Sequence, residues 1–159
     1  MPNWTSNNVL FVGKENQLKK LQTMLKSEDN EFDFNNVIPM PNELSDTVSG
    51  SENAKPDWQK KQSQKLISKY GADNWYSWSI ENWGTKWNAI DTEVEQRDGK
   101  LIYRFNTAWD APRNIAEALL RMQKTILQDI NISWECIHED GDEEETIIDI
   151  ETEYDIKAS

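Results

Sequence analysis

The spacing of apolar residues along this chain alternates between the 3.6-residue period of a helix and the two-residue period of a strand. Residues 8–13 (NVLFVG) form a short apolar run closed by glycine, which predicts a strand. Residues 15–27 then place Leu18, Leu21 and Leu25 on one helical face. From 27 to 57 the prolines, Gly50 and clusters of Ser, Asn and Asp predict a long excursion, with one packed stop at 37–40. Asp57 is placed to cap a helix running through Tyr70, with Trp58, Leu66, Ile67 and Tyr70 turned inward and Gly71 ending it. A second short helix is predicted over 74–84, where Trp75 and Trp78 lie three apart.

Runs 86–96 and 101–109 flank Arg97-Asp98-Gly99-Lys100, and an Asp-Gly between two strand-like runs signals a hairpin. In the second run Leu101, Tyr103, Phe105, Thr107 and Trp109 share a face. Pro112 opens a helix in which Ile115, Leu119, Met122 and Ile126 recur at helical spacing. Ile132, Trp134, Cys136 and His138 alternate along a half-buried strand. After an acidic turn, Ile148, Ile150, Thr152, Tyr154 and Ile156 alternate along another. The order strand, helix, insertion, strand, strand, helix, strand, strand predicts an α+β fold. It is a ferredoxin-like split βαβ sandwich with a long helical insertion and an extra C-terminal strand. The expectation is one domain over 1–159, in which residues 28–84 are an insertion packed on it and covering one end of the sheet.

Charge changes the picture more than composition does. Of the net −12, residues 1–80 contribute −1 (nine Lys, ten acids) and residues 81–159 contribute −11 (eight Lys or Arg, nineteen acids). Ten of the seventeen residues from 139 to 155 are Asp or Glu, a density that repels a phosphate backbone and disfavours anionic lipid. The expected partner is therefore a protein with a basic surface, with no nucleic acid and no membrane. No apolar run is long enough to span a bilayer. The single cysteine and an N-terminal sequence without a basic or apolar leader predict a cytoplasmic protein.

Four segments carry candidate chemistry. Trp83, Lys86, Trp87 and Asn88 crowd two indoles, a cation and an amide into residues 83–88. They read either as a pocket that stacks a base or holds a cation, or as core indoles with capping polar groups. Cys136 and His138 share a strand face, but two ligands do not make a tetrahedral site, and no further Cys or His exists to complete one. A thiol and imidazole pair without an orienting third group is likewise an incomplete nucleophile. No metal, cofactor or catalytic residue is expected. Residues 140–145 lack the ligand spacing of a calcium loop and read as a solvated turn. Asp149, Glu151, Glu153 and Asp155 recur every second residue, a carboxylate row on one face of a terminal strand.

The segments MPNWTSN (1–7), FDFNNVIPMPNEL (32–44), ENWGTKWNA (81–89) and FNTAWDAP (105–112) resemble the signature of the YubB ferredoxin-like family of small phage and plasmid proteins. The resemblance runs in order over residues 1–112, and Thr5 stands where the family pattern more often shows cysteine. It implies the ferredoxin-like fold and a mobile-element origin, and supplies no activity or cofactor. With the charge distribution, it points to a non-enzymatic acidic protein that binds a host protein, such as a defence or nucleic-acid-handling factor. The binding residues expected are Asp149, Glu151, Glu153 and Asp155, with Trp83, Lys86, Trp87 and Asn88. The competing reading is a module for a small ligand or single-stranded nucleic acid built on 83–88.

Overall fold

The computed structural model describes residues 3–45, 47, 56–139 and 143–148. Strand β1 (Trp4–Val12) leads to helix α1 (Glu15–Leu25), a 3₁₀ turn (Phe34–Asn36) and helices α2 (Asn42–Ser45), α3 (Asp57–Tyr70) and α4 (Trp75–Asn82). Strands β2 (Ile90–Arg97) and β3 (Lys100–Ala108), helix α5 (Arg113–Gln123), and strands β4 (Asn131–His138) and β5 (Glu143–Ile148) follow. The five strands form one antiparallel sheet in the order β2-β3-β1-β4-β5. Each helical crossover, β1 to β2 and β3 to β4, skips one strand, which is the split βαβ topology; β5 adds the extra C-terminal edge.

Helices α1 and α5 pack on one face of this sheet. Leu18, Leu21, Leu25, Ile115, Ala116 and Leu119 share a buried cluster with Val9, Phe11, Tyr103, Phe105, Ile132 and Trp134. The segment between α1 and β2 adds Phe32, Phe34, Leu44, Leu66, Trp78 and Trp83 to the same cluster. Phe32 sits at its centre, with ring centroids 5.1 Å from Tyr103, 5.1 Å from Phe105 and 6.2 Å from Trp134. The insertion therefore builds core as well as covering it, and each such aromatic contributes about 1.5–3 kcal/mol by burial alone.

Several local expectations are corrected. Strand β1 begins at Trp4, because its first inward residues, Thr5 and Asn7, are polar yet buried. The packed stop lies at Phe32, Phe34 and Leu44, all fully buried, while Val37, Ile38 and Met40 only flank the core. Pro56, not Asp57, occupies the N-cap of α3, and Asp57 is an acid in its first turn. Trp58 and Ile67 face solvent at 64% and 47% exposure; α3 turns Leu66 and Ser63 inward, a narrow stripe. Helix α5 ends at Gln123, so Ile126 is 67% exposed, and Leu127 and Ile130 take the buried positions.

Strand β3 stops at Ala108, and Trp109 leaves the shared face with φ 74°. The β2–β3 turn forms at Asp98 and Gly99 as predicted, with Gly99 at φ 71°. Residues 143–145, expected in a turn, are the start of β5, and Ile150, Thr152, Tyr154 and Ile156 lie outside the described residues. No helix among the described residues is long and apolar enough to cross a membrane.

Candidate functional site

Because α1 and α5 cover only one face, the other face of the sheet is left with outward residues of alternate positions in all five strands. The strand register sorts these into rows. One row runs Glu93, Arg104, Asn8, Glu135, Thr146; the next runs Ile90, Asn106, Ser6, Ile137, Glu144. A groove of about 630 Å³ crosses these rows, lined by the acids Asp91, Glu93, Glu135 and Glu144 and a single guanidinium, Arg104; Glu145 borders it too, but its carboxylate is held by Arg113 on the helix-covered side. Asp91 reaches the groove from a β-bulge between Ile90 and Glu93, where its φ is 52°. Arg104 is engaged by Glu95 at 3.6 Å, a partner outside the groove. Neutral amides and hydroxyls, Ser6, Asn8 and Asn106, form the floor, and Ile137 is an exposed apolar contact point. Neither row carries an aromatic side chain.

The segment 83–88 splits into inward and outward members. Trp83 is buried, its N–H donating to the Ile38 carbonyl at 2.8 Å and its ring packed edge-on against Phe34 and Trp78. Asn88 clamps the insertion: its Oδ1 accepts from the backbone N–H of Phe34 at 2.9 Å, and its Nδ2 donates to Asp33 at 2.7 Å. These two therefore belong to the core and its loops, the second of the two readings of this segment. Gly84 has φ 88°, and a Cβ there would lie 3.1 Å from the backbone nitrogen of Arg113, so only glycine fits the approach. Thr85 donates to the Ala108 carbonyl at 2.6 Å.

Lys86 and Trp87 reach the surface. The Lys86 ammonium lies 4.5 Å from the Trp87 ring centroid, 5.0 Å from Trp109 and 5.8 Å from Tyr76, so its own chain already supplies the cation over these rings. The described residues of segments 1–7, 32–44, 81–89 and 105–112 thus meet at one end of the sheet. Trp4 packs on Trp87 at 5.9 Å, Trp83 on Phe34 at 5.7 Å, and the Trp109 N–H donates to the Asn3 carbonyl at 2.7 Å. Asp149, Glu151, Glu153 and Asp155 lie outside the described residues.

The same end of the sheet completes the cysteine and histidine pair that looked incomplete. In the β4–β5 register Glu145 stands opposite Cys136, and its Oε1 lies 3.4 Å from His138 Nε2, which is 3.6 Å from Cys136 Sγ. Arg113 grips both oxygens of Glu145 and is itself held by Asp110 at 3.0 Å. This contact with Arg113, more than anything else, holds the Glu145 carboxyl below its ordinary value. Burial, and then the charge of Glu145, pushes the Cys136 thiol up to about 11. A thiol so reluctant to ionise is a poor nucleophile, so the trio does not read as a thiol hydrolase centre.

Of the groove acids, Glu144 lay in the run 140–145 read from sequence as a solvated turn, and Asp91, Glu93, Glu135 and Arg104 were not singled out; their only signal was polar residues at alternate strand positions, which is also what an ordinary solvated face shows. No family model, curated protein or solved structure matches the chain.

Proposed function

We propose that this chain is a non-enzymatic interaction protein of a phage or other mobile element, of the YubB ferredoxin-like type. It binds a basic surface on a host protein through the open face of its sheet, in the host cytoplasm. The observation that carries this reading is the groove, where the four acids Asp91, Glu93, Glu135 and Glu144 surround one guanidinium that Glu95 already engages. An arginine or lysine from a partner meets complementary charge there, and Ile137 and the amides Asn8 and Asn106 add apolar and hydrogen-bonding contact.

The same charge works against a phosphate backbone. Ferredoxin-like RNA-binding modules stack bases on aromatic side chains of the open face, and the two rows here carry none. Proteins that handle nucleic acid present basic surfaces, so a host factor of that kind, including a defence factor, fits the acidic face by charge. Asp149, Glu151, Glu153 and Asp155 extend the same sign of charge along the sequence and belong to the reading as a second contributor. The resemblance in residues 1–112 supports the mobile-element origin.

The test compares the wild type with two triple variants, Glu93→Gln/Glu135→Gln/Glu144→Gln on the open face and Glu151→Gln/Glu153→Gln/Asp155→Asn in the terminal segment. Each is used to capture host proteins at low and moderate salt, with bound proteins identified and thermal unfolding as the control for fold. The reading expects a basic host protein held by the wild type, with slower association and flatter salt dependence for the open-face variant. Equal capture by three equally folded proteins eliminates it.

A further inference from the structure

Cys136, His138 and Glu145 offer sulfur, nitrogen and oxygen donors whose ligand atoms all lie within 4.8 Å of one another. Two edges, 3.6 Å from Sγ to Nε2 and 3.4 Å from Nε2 to Oε1, can be set against the spacing a metal ion would impose. Bond lengths of about 2.3 Å to sulfur and about 2.0–2.1 Å to nitrogen and oxygen, at tetrahedral angles, separate ligand atoms by about 3.3–3.6 Å. The two edges that meet at Nε2 therefore already match a zinc tetrahedron, and the third, from sulfur to carboxylate, lies within 4.8 Å and closes by a small movement of the partly exposed Glu145 side chain.

The surrounding hydrogen bonds orient each donor. The Thr5 hydroxyl lies 3.3 Å from His138 Nδ1 and 3.4 Å from the Trp109 carbonyl, so it can accept from the ring nitrogen while donating to the carbonyl. In the tautomer this arrangement accommodates, with the ring proton on Nδ1, the lone pair of Nε2 faces Cys136 and Glu145. That lone pair and the carboxylate oxygen 3.4 Å from it leave room for a cation between them, whereas in the other tautomer Nε2–H donates to Glu145. Glu145 is aimed by Arg113, and Arg113 by Asp110, the kind of outer contacts that metal-ligating carboxylates keep. With Cys136 as thiolate, these charged groups together carry minus two, which a divalent ion neutralises.

Cys136 is buried, whereas His138 and Glu145 keep 22% and 37% of their side chains exposed, so a fourth position would open toward solvent. Thiolate and imidazole donors exclude calcium and magnesium in favour of a borderline ion without geometric demands of its own. We propose that Cys136, His138 and Glu145 form a three-ligand zinc site, closed by water, that staples the edge strand β5 to β4. The alternative, an Nε2–H of His138 donating to Glu145 with no metal, is the other outcome of the test.

The experiment uses the full chain, stripped with chelator and dialysed, and titrated with Co²⁺ and then Zn²⁺. The proposal expects a thiolate-to-cobalt charge-transfer band and the intense visible bands of a four-coordinate ion, saturating at one per chain and abolished by one equivalent of zinc. Zinc affinity, read by competition with a chromogenic chelator, should fall at least tenfold in Cys136→Ala and in Glu145→Gln. Glu145→Gln alters a partly exposed residue, so it remains informative if the buried Cys136→Ala change disturbs folding; circular dichroism is the fold control. Absence of the charge-transfer band overturns the proposal, as does a zinc affinity unchanged in Glu145→Gln, which would mark the metal as adventitious on other acidic residues.

Discussion

The indole N–H of Trp134 on β4 donates to the Oδ1 of Asn7 on β1 at 3.1 Å, deep in the helix-covered face of the sheet. The Asn7 amide nitrogen donates onward to the Thr107 hydroxyl on β3 at 3.0 Å and to the Thr5 carbonyl at 3.2 Å. One buried amide thus links the three central strands with its donors and acceptor satisfied, which is the condition for a polar group to be tolerated there. Asn7→Ala leaves the Trp134 N–H and the Thr107 hydroxyl without this partner. It should cost about 1–3 kcal/mol, read as a lower urea midpoint with an unchanged slope.

Leu119 on α5 is fully buried in the main cluster. Leu119→Ala removes its packing and leaves a cavity between helix and sheet, so equilibrium unfolding should show a loss of about 2–5 kcal/mol. A change below about 0.5 kcal/mol would be the behaviour of a surface residue and would contradict this packing.

Tyr103 lies at the centre of the same cluster, and among the described residues its hydroxyl has no hydrogen-bond partner. Burial accordingly raises the pKa of this phenol strongly. Tyr103→Phe keeps the ring contacts with Phe11 and Phe32 while removing the unpaired group. Stability should hold or rise by about 1 kcal/mol; a clear loss in thermal unfolding would show that the hydroxyl is satisfied in solution.

Alkaline pH tests the burial of Cys136. Its folded thiol titrates at about 11, against about 8.5 in an unfolded chain. The folded value is the higher, so the contribution is complete below pH about 8.5 and is lost as pH rises toward about 11. With metal removed by chelator, the wild type should lose on the order of 2 kcal/mol more than Cys136→Ala between pH 8 and 10.5. Parallel pH profiles for the two proteins would place the thiol in water. Comparison with the variant also cancels the phenol of Tyr103, which acts in the same direction.

What could be read from the sequence was whatever depends on neighbours within a few residues. Leu18, Leu21 and Leu25 declared α1, Leu101, Tyr103 and Phe105 declared β3, and Asp98-Gly99 declared the turn before it. In each case local backbone period and apolar burial point the same way. The element order then sufficed for the split βαβ topology. Local reading failed where burial and polarity part company. Thr5 and Asn7 are polar and buried because their partners come from β3 and β4, roughly a hundred residues away. Trp58 and Ile67 are apolar and exposed because the stripe that α3 buries is set by what it packs against.

The sites follow the same division. That Cys136 and His138 share a strand face follows from a period of two, which is a property of the strand alone. That Glu145 stands opposite Cys136, that Arg113 holds it and that Thr5 orients the histidine depend on strand register and on a helix end that no local pattern encodes. Likewise the net charge announced an acidic protein. Only the pairing of five strands, with helices on one face, gathered Glu93, Glu135 and Glu144 from three separate strands around a single groove. Register is a long-range choice, made by the hydrophobic face as a whole, and the polar residues on the opposite face are carried along by it.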